Sequence, residues 1–438
     1  MADPLTETPP RPVLTRPGHT IRVALFQPTL AHYRVPVFRE LASRPGIDLT
    51  VYYGDDPQVP NGMPDGFRAE LAHMAYLWSG RHPLYWQQGT VAKVRRREVD
   101  VAIFSSIVHN AALVPGLLAA RARNVATIVW GHGYSKSPSP WRDTVRRQIE
   151  RLATVQLFYN RRVASDAVAR GADPSRVFVA LNSRDAAGSD EAIAYWRSRP
   201  AALEARRREL GIGPGPVLLF VSRLMPANRA DRLITQVARL RDRYPTVQAV
   251  IVGSGPEEAN LRAEASRAEV ADRVLFFPAR YEEREVAPFF LSADAFVYPK
   301  NAGLSILHAM AYSVPVLASD DVGGHNPEIE ALRDGQSGII YRMGDMDALE
   351  GALVRLFREP ALRARLGAGG RRVVDEEFNI TRMVDGMEAA IRAANASRGR
   401  PSSVVGSMLG ALGLDPVIAA LAELGSSPLL TAGAVLAG

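Results

Sequence analysis

The sequence predicts an α/β chain of two tandem doubly wound domains, each a parallel sheet with helices on both faces. Two observations carry this. Short apolar runs of strand length alternate with stretches of helical spacing, which is the pattern of a βαβ series. The series then occurs a second time, after a polar, arginine-rich interval from Ala187 to Leu210.

In the first series, Ile21–Phe26 reads as a buried strand broken by Pro28, and Val35–Leu41 has helical spacing. Leu49–Tyr53 is the next strand, closed by Gly54. Val99–Phe104 follows, with a helix over Ala111–Arg121. Val125–Trp130 is stopped by Gly131-His132-Gly133. A basic helix covers Trp141–Leu152, and strands follow at Val155–Tyr159 and Arg176–Ala180. Continuous apolar runs of this kind suit parallel strands covered on both faces.

Pro214-Gly215-Pro216 introduces the second series, with strands at Val217–Val221, Gln248–Val252, Val274–Phe277, Ala295–Tyr298, Val314–Leu317 and Gly338–Tyr341. Helices are expected between them, among them Ala230–Arg243 and Ala348–Phe357. The expected division is a disordered leader over 1–20, a first domain over 21–198 and a linker over 199–212. A second domain over 213–380, a helix over 381–396 and a low-charge tail over 397–438 complete it. In paired folds of this kind ligands are expected at the carboxyl ends of strands, in the cleft where the domains face each other.

Composition narrows the partners. The 438 residues carry a formal net charge of +7 and no cysteine. That excludes a disulfide framework and a thiolate metal site. A basic chain suits phosphate-bearing partners or an anionic membrane surface. Nucleic acid is not expected, since arginine is spread through both halves without interleaved aromatics. The leader lacks the apolar stretch of a signal peptide, and no run reaches the roughly 20 apolar residues of a spanning helix. A cytoplasmic protein is expected. The basic 142–151 stretch, where Arg142, Arg146, Arg147 and Arg151 share one side of a helix, reads either as a solvated face or as peripheral contact with an anionic membrane or lipid-phosphate acceptor.

The second series carries the chemistry in the loops that follow its strands. The first strand ends in Ser222-Arg223-Leu224, with Arg229 and Asp231 beyond, and the second in Gly253-Ser254-Gly255. The fourth ends in Lys300-Asn301-Ala302-Gly303-Leu304-Ser305, and His308 lies on the helix that follows. After the fifth strand come Gly323-Gly324 and Glu328. Gly303 lets backbone approach a phosphate, and the amides of Leu304 and Ser305 open a helix, which favours an anion. Arg223 adds a fork of donors for phosphate oxygens. Singly, each glycine also reads as a turn residue and Arg223 as a surface ion-pair residue. Their order in register with the strands favours a nucleotide diphosphate site.

The stretch from Val217 to Phe378 resembles the donor domain of glycosyltransferase family 4, retaining enzymes of the GT-B fold. The first half resembles the acceptor domain more weakly, through Gly131-His132-Gly133 and Ala180-Leu181-Asn182. The resemblance implies a glycosyltransferase with a nucleotide diphosphate sugar as donor and a glycan, lipid-linked or small-molecule acceptor. It implies no cofactor, no metal, and retention by same-face attack. It assigns Arg223 and Lys300 to catalysis in the donor half. Donor binding falls to Ser222, Arg229, Gly253, Gly255, Gly303, Leu304, Ser305, His308, Gly324 and Glu328.

The departures from the family pattern are specific. Ser222 replaces a glycine. Asn228 stands where the family has the lysine of a Lys-Gly pair, and Arg229 beside it is expected to supply the cation. Lys300 and His308 occupy the places of the two family glutamates, and His308 is expected at the ribose.

His132 is expected to support transfer from the acceptor side, its ring made accessible by the flanking glycines. His32 and His109, after earlier strands, are expected near the acceptor. Asp345-Met346-Asp347 has the form of a metal motif but precedes a helix, so capping explains it better. Two other readings fit the same residues: a catalytically silent nucleotide-sugar-binding partner of another transferase, and a nucleotide-sugar epimerase.

Overall fold

The computed structural model describes residues 20–56, 59–78, 83–95, 98–134 and 140–398. The expected tail from 399 onward, and the leader up to residue 19, lie outside the described residues. The chain divides into two compact units. Among the described residues, one runs to Ala180 and resumes at Met383, and the other is Leu181–Arg382.

The first unit carries strands β1 (Ile21–Gln27), β2 (Ile47–Tyr53), β3 (Arg68–Leu71), β4 (Met74–Trp78), β5 (Leu84–Gln87), β6 (Val101–Ser105), β7 (Ala126–Gly131), β8 (Val155–Phe158) and β9 (Val177–Val179). Helices α1 (Val35–Ser43), α2 (Thr90–Arg95), α3 (Leu113–Ala122), α4 (Pro140–Leu152) and α5 (Arg161–Ala169) lie among them. Seven strands form a parallel sheet in the order β3-β2-β1-β6-β7-β8-β9, and β4 pairs with β5 as an antiparallel ribbon. The order reverses between β1 and β6, which makes that pair the switch point of a doubly wound sheet. Its buried strands were legible as apolar runs. Strand β3 was not, because it is an edge strand whose residues are mostly exposed, and the β4–β5 ribbon likewise carries exposed Leu77 and Trp78.

The second unit opens with α6 (Ala187–Arg197) and α7 (Pro200–Glu209). Strands β10 (Val217–Val221), β11 (Gln248–Val252), β12 (Val274–Phe277), β13 (Ala295–Tyr298), β14 (Val316–Ser319) and β15 (Gly338–Tyr341) follow. They alternate with α8 (Asp231–Leu240), α9 (Glu258–Arg267), α10 (Glu283–Leu291), α11 (Leu304–Ala311), α12 (Met346–Arg358) and α13 (Pro360–Glu376). All six strands are parallel, in the order β12-β11-β10-β13-β14-β15, with the reversal between β10 and β13. Leu219, Phe220, Phe296 and Val297 are fully buried at its centre. Asp345 accepts from the Ala348 amide at 2.8 Å as the cap of α12, the role its sequence context suggests.

The division differs from the one expected. Residues 181–209 belong to the second unit, because Asn182 donates to Glu328, Arg184 pairs with Glu283, and Asp190 pairs with Arg371. The last helix, α14 (Ile380–Ala396), crosses back. From Met383 it packs on the first unit. Asp385 meets Arg44 at 2.9 Å, and Gly386 lies so close to β9 that a Cβ would stand 2.1 Å from the Val179 carbonyl oxygen.

Candidate functional site

In the second unit, the loops after β10 and β13 meet at the switch point and are tied together by side chains. The Tyr298 hydroxyl donates to Ser222 Oγ at 2.8 Å, and burial raises that phenol to about 12, so it stays a donor. Asn228, 2% exposed, donates to the Arg223 carbonyl at 2.7 Å and accepts from Asn301 at 2.6 Å. His325 is fully buried. Its Nδ1 accepts from the Ala302 amide at 3.0 Å, which leaves the proton on Nε2 to be donated to the Ser319 carbonyl at 3.1 Å. Asn326 donates to the Asn301 carbonyl at 3.0 Å. The backbone that opens α11 is therefore fixed before any ligand arrives.

Gly253 and Gly255, expected to bind the donor, leave no room for a side chain where their loops pack. A Cβ on Gly253 would lie 1.9 Å from the Ser222 carbonyl oxygen, and one on Gly255 would lie 2.4 Å from that of Leu224. Gly303 caps α11 beside the Asn326 amide, and Leu304 and Ser305 form the first turn, half-buried.

The cations differ in their engagement. Arg223 is exposed, and no hydrogen bond or ion pair joins its side chain to another described residue. Arg229 gives both arms of its guanidinium to Asp231, each at 2.9 Å. Asp231 balances the charge that was expected to replace the missing lysine. Its backbone takes φ +56°, the left-handed conformation glycine favours, which is what the family's glycine at this place would supply. Lys300 Nζ lies 3.1 Å from Asp321 Oδ2.

His308 departs furthest from expectation. Its side chain is 13% exposed, and its Nε2 lies 3.1 Å from Glu283 Oε2 rather than facing outward for a ribose. Its ring packs on Phe290 at 4.4 Å. Glu283 also receives the Tyr312 hydroxyl at 2.8 Å, Ser189 Oγ at 3.2 Å and Arg184. Burial alone would raise this carboxyl, but the His308 hydrogen bond, the Arg184 charge and the Tyr312 hydroxyl outweigh it and bring it to about 2. Burial and the Arg184 charge push His308 down to about 4, so the imidazole is a neutral donor to an ionised Glu283. Glu328 is buried and takes the Asn182 amide, an anchor between the start of the unit and the loop after β14. Sequence alone did not single out Glu283, because Glu282-Glu283-Arg284-Glu285 reads as a solvated charge run.

In the first unit, His32, His109 and His132 are all exposed after β1, β6 and β7, at or beside the switch point. The glycines around His132 have steric duties. A Cβ at Gly131 would lie 2.4 Å from Ser106 Cβ, and Gly133, at φ +65°, packs on Val163. The His132 ring lies 4.9 Å from that of Tyr159. Arg34, missed in the sequence, is buried between Trp130 at 4.8 Å and Tyr159 at 5.1 Å.

The basic helix α4 does not present one solvated face. The Arg146 side chain is 12% exposed and pairs with Asp143 at 3.0 Å, and the Arg142 side chain lies outside those described. Arg147 and Arg151 line a pocket with Arg170, Gly133 and Glu150. Glu150 accepts from Ser106 Oγ at 3.1 Å. Burial raises its carboxyl to about 7 against the opposing pull of that bond and the nearby arginines.

Residues 204–373 match the family described as "Glycosyl transferases group 1". Over 308 residues the chain is 30% identical to a GDP-mannose-dependent alpha-(1-6)-phosphatidylinositol monomannoside mannosyltransferase of Mycolicibacterium smegmatis, covering 66% of this chain and 78% of the relative. The chain belongs to the group 1 glycosyl transferases. A D-inositol 3-phosphate glycosyltransferase of Salinispora arenicola is 30% identical over 77% of this chain and 73% of its own length. Among solved structures, Anabaena Alr3699/HepE in complex with UDP aligns with a TM-score of 0.65 at 18% identity, over 84% of this chain and 98% of that one. Sucrose-phosphate synthase from Thermosynechococcus elongatus aligns at 0.60 with 17% identity, over 86% and 100%. These two likenesses establish the GT-B fold. Among the described residues, no helix is long and apolar enough to cross a membrane.

Proposed function

We propose that this glycosyltransferase moves a hexosyl group from a nucleotide diphosphate sugar to an acceptor bearing a phosphate, lipid-linked or small, with retention and without a metal ion. The observation that carries the donor side is the fixed junction of the loops after β10 and β13. There the exposed Arg223 and the opening turn of α11 lie at the switch point of the second unit. As the nucleoside diphosphate departs, its growing negative charge is met by that guanidinium and by helix amides already in place. The departing phosphate takes the acceptor's proton, and attack comes on the face it leaves. His132 supports the transfer step from the first unit.

Two observations support a phosphate on the acceptor. The relatives are named for phosphatidylinositol and inositol 3-phosphate acceptors. In the first unit, Arg147, Arg151 and Arg170 line one pocket, a donor set suited to phosphate oxygens.

Two measurements test the reading. Thermal shifts with UDP, GDP, dTDP and ADP should single out one base, adding about 2.7 kcal/mol at 100 times its dissociation constant. Release of that nucleoside diphosphate from its sugar should then depend on an added phosphorylated acceptor. Binding without acceptor-dependent release would instead leave a silent binding subunit.

A further inference from the structure

Both positions where the family pattern has a glutamate carry a basic residue opposite an acid from another element. Lys300, after β13, faces Asp321, after β14, at 3.1 Å. His308, on α11, faces Glu283, at the start of α10, at 3.1 Å. The two pairs differ in exposure and saturation. Glu283 accepts from His308, Tyr312, Ser189 and Arg184 in a largely buried cluster, which leaves it a structural anion. Asp321 and Lys300 are a third or more exposed, at 33% and 39%, and they lie at carboxyl ends of strands beside the start of α11.

Each oxygen of Asp321 has one partner. Oδ1 takes the Gly324 amide at 3.2 Å, and Oδ2 takes Lys300. A carboxylate offers about four acceptor positions, so the group keeps capacity for further donors. The lysine ammonium holds the carboxyl below its usual range, and it therefore accepts and does not donate at neutral pH. The pair is seated on Gly324, where a Cβ would lie 2.3 Å from Asp321 Oδ2 and 2.9 Å from Lys300 Cε. Next to it, a Cβ on Gly323 would meet nothing within 4 Å, so the pair borders open space. Asn326 links the same loop to Asn301 and Gly303.

We propose that Asp321 reads the hydroxyl groups of the donor sugar, while Lys300 holds its carboxylate and faces the adjoining diphosphate. A nucleotide sugar presents anionic oxygens next to a ring of hydroxyl donors, and this ion pair offers a cation next to an acceptor in the same order. The inference rests on the donor reading above.

The test uses the full chain, with GDP against GDP-mannose and UDP against UDP-glucose as probes. Asp321→Asn keeps the cap on the Gly324 amide, because asparagine caps as well as aspartate, and removes one charge-strengthened acceptor. It should leave nucleoside diphosphate affinity within threefold and lower kcat/KM for the nucleotide sugar at least tenfold. Asp321→Glu should recover part of that loss, while Lys300→Gln should weaken both ligands. Parental kcat/KM in Asp321→Asn overturns the proposal, as does an equal loss of both ligands, which would place Asp321 on the diphosphate. If the parent chain shifts with neither nucleoside diphosphate, the donor reading itself falls. A melting curve for each variant separates lost recognition from lost folding.

Discussion

Each unit draws a glutamate away from solvent, Glu150 buried and Glu283 half-buried, and the two carboxyls are shifted in opposite directions. Glu283 in the second unit has four side-chain donors and is brought to about 2. Glu150 in the first has the Ser106 hydroxyl, and burial lifts it to about 7. Burial favours the neutral acid in both places, and the number and charge of direct donors decide which side wins. The same contrast runs through the two switch points. In the second unit, Asn228, Asn301, Asn326 and His325 lock the loops to one another. In the first, the loops present exposed histidines, His132 among them against Tyr159, with Arg34 buried between Trp130 and Tyr159. A locked frame suits a ligand part that never changes, such as a diphosphate. Rings and a titratable acid suit a part that differs from one relative to the next.

The strongest attack on this contrast is His308→Glu, which sets a second carboxylate against Glu283. An uncompensated charge in a largely buried site costs about 3–5 kcal/mol, so the variant should melt far below the parent. Adding Glu283→Gln should restore more than half of the loss, because the amide donates to the new carboxylate. A single variant that melts like the parent means the cluster does not hold α10 to α11.

The matching experiment in the first unit is Glu150→Gln. Its folded pKa of about 7 lies above the ordinary 4.5, so the folded state keeps a proton that the unfolded chain releases. The associated stability is full below about pH 4.5 and is lost as pH rises through 7, by up to about 3 kcal/mol. Glutamine keeps an acceptor for Ser106 and cannot titrate. The difference in melting temperature between pH 5 and pH 8 should shrink in the variant, and an unchanged difference assigns the titration elsewhere.

Arg223→Ala should lower donor turnover by one to two orders of magnitude, since a charge-assisted phosphate contact is worth about 1.5–3 kcal/mol. Neighbouring Arg229 is engaged by Asp231, so the loss is expected to fall on Arg223 alone. A variant with parental turnover would falsify the diphosphate role.

The sheets were legible because buried parallel strands write themselves as apolar runs. Five of the six strands of the second unit have the very limits the pattern predicts. The site was legible only as loops. That Gly253 and Gly255 leave no room for a side chain depends on how closely two backbones pass, which spacing does not encode. That His308 meets Glu283 depends on α10 lying beside α11, and the charges that reveal it sit 25 residues apart. The interval Ala187–Leu210 reads as a connection by its polarity, yet it belongs to the second unit, where Asp190 pairs with Arg371.

His132→Ala tests the other side of the comparison. The first unit presents this ring, and the proposed nucleotide site lies in the second. The variant should lose about tenfold in kcat, about 1.4 kcal/mol, with nucleoside diphosphate affinity unchanged. Intact turnover would return His132 to packing on Tyr159 alone, and lost affinity would assign it to the donor.

The smallest expected effect separates backbone from charge at Arg229. Its φ of +56° is costly for any residue with a Cβ, by roughly 1–2 kcal/mol, and Arg229→Gly removes that cost. The substitution also removes the Asp231 ion pair, whose side chains are 37% and 33% exposed, and such pairs contribute about 0–1 kcal/mol. Glycine further gains freedom in the unfolded chain, which takes back about 0.4–1 kcal/mol. The three contributions nearly cancel, so the melting temperature should move by no more than a few degrees. Turnover then carries the decision. If Asp231 consumes the guanidinium, Arg229→Gly changes donor kcat/KM less than threefold, and Arg223 acts without help from its loop. A tenfold loss without a change in melting would mean that Arg229 leaves Asp231 when the diphosphate arrives, and the second unit would then be less rigid than its hydrogen bonds imply.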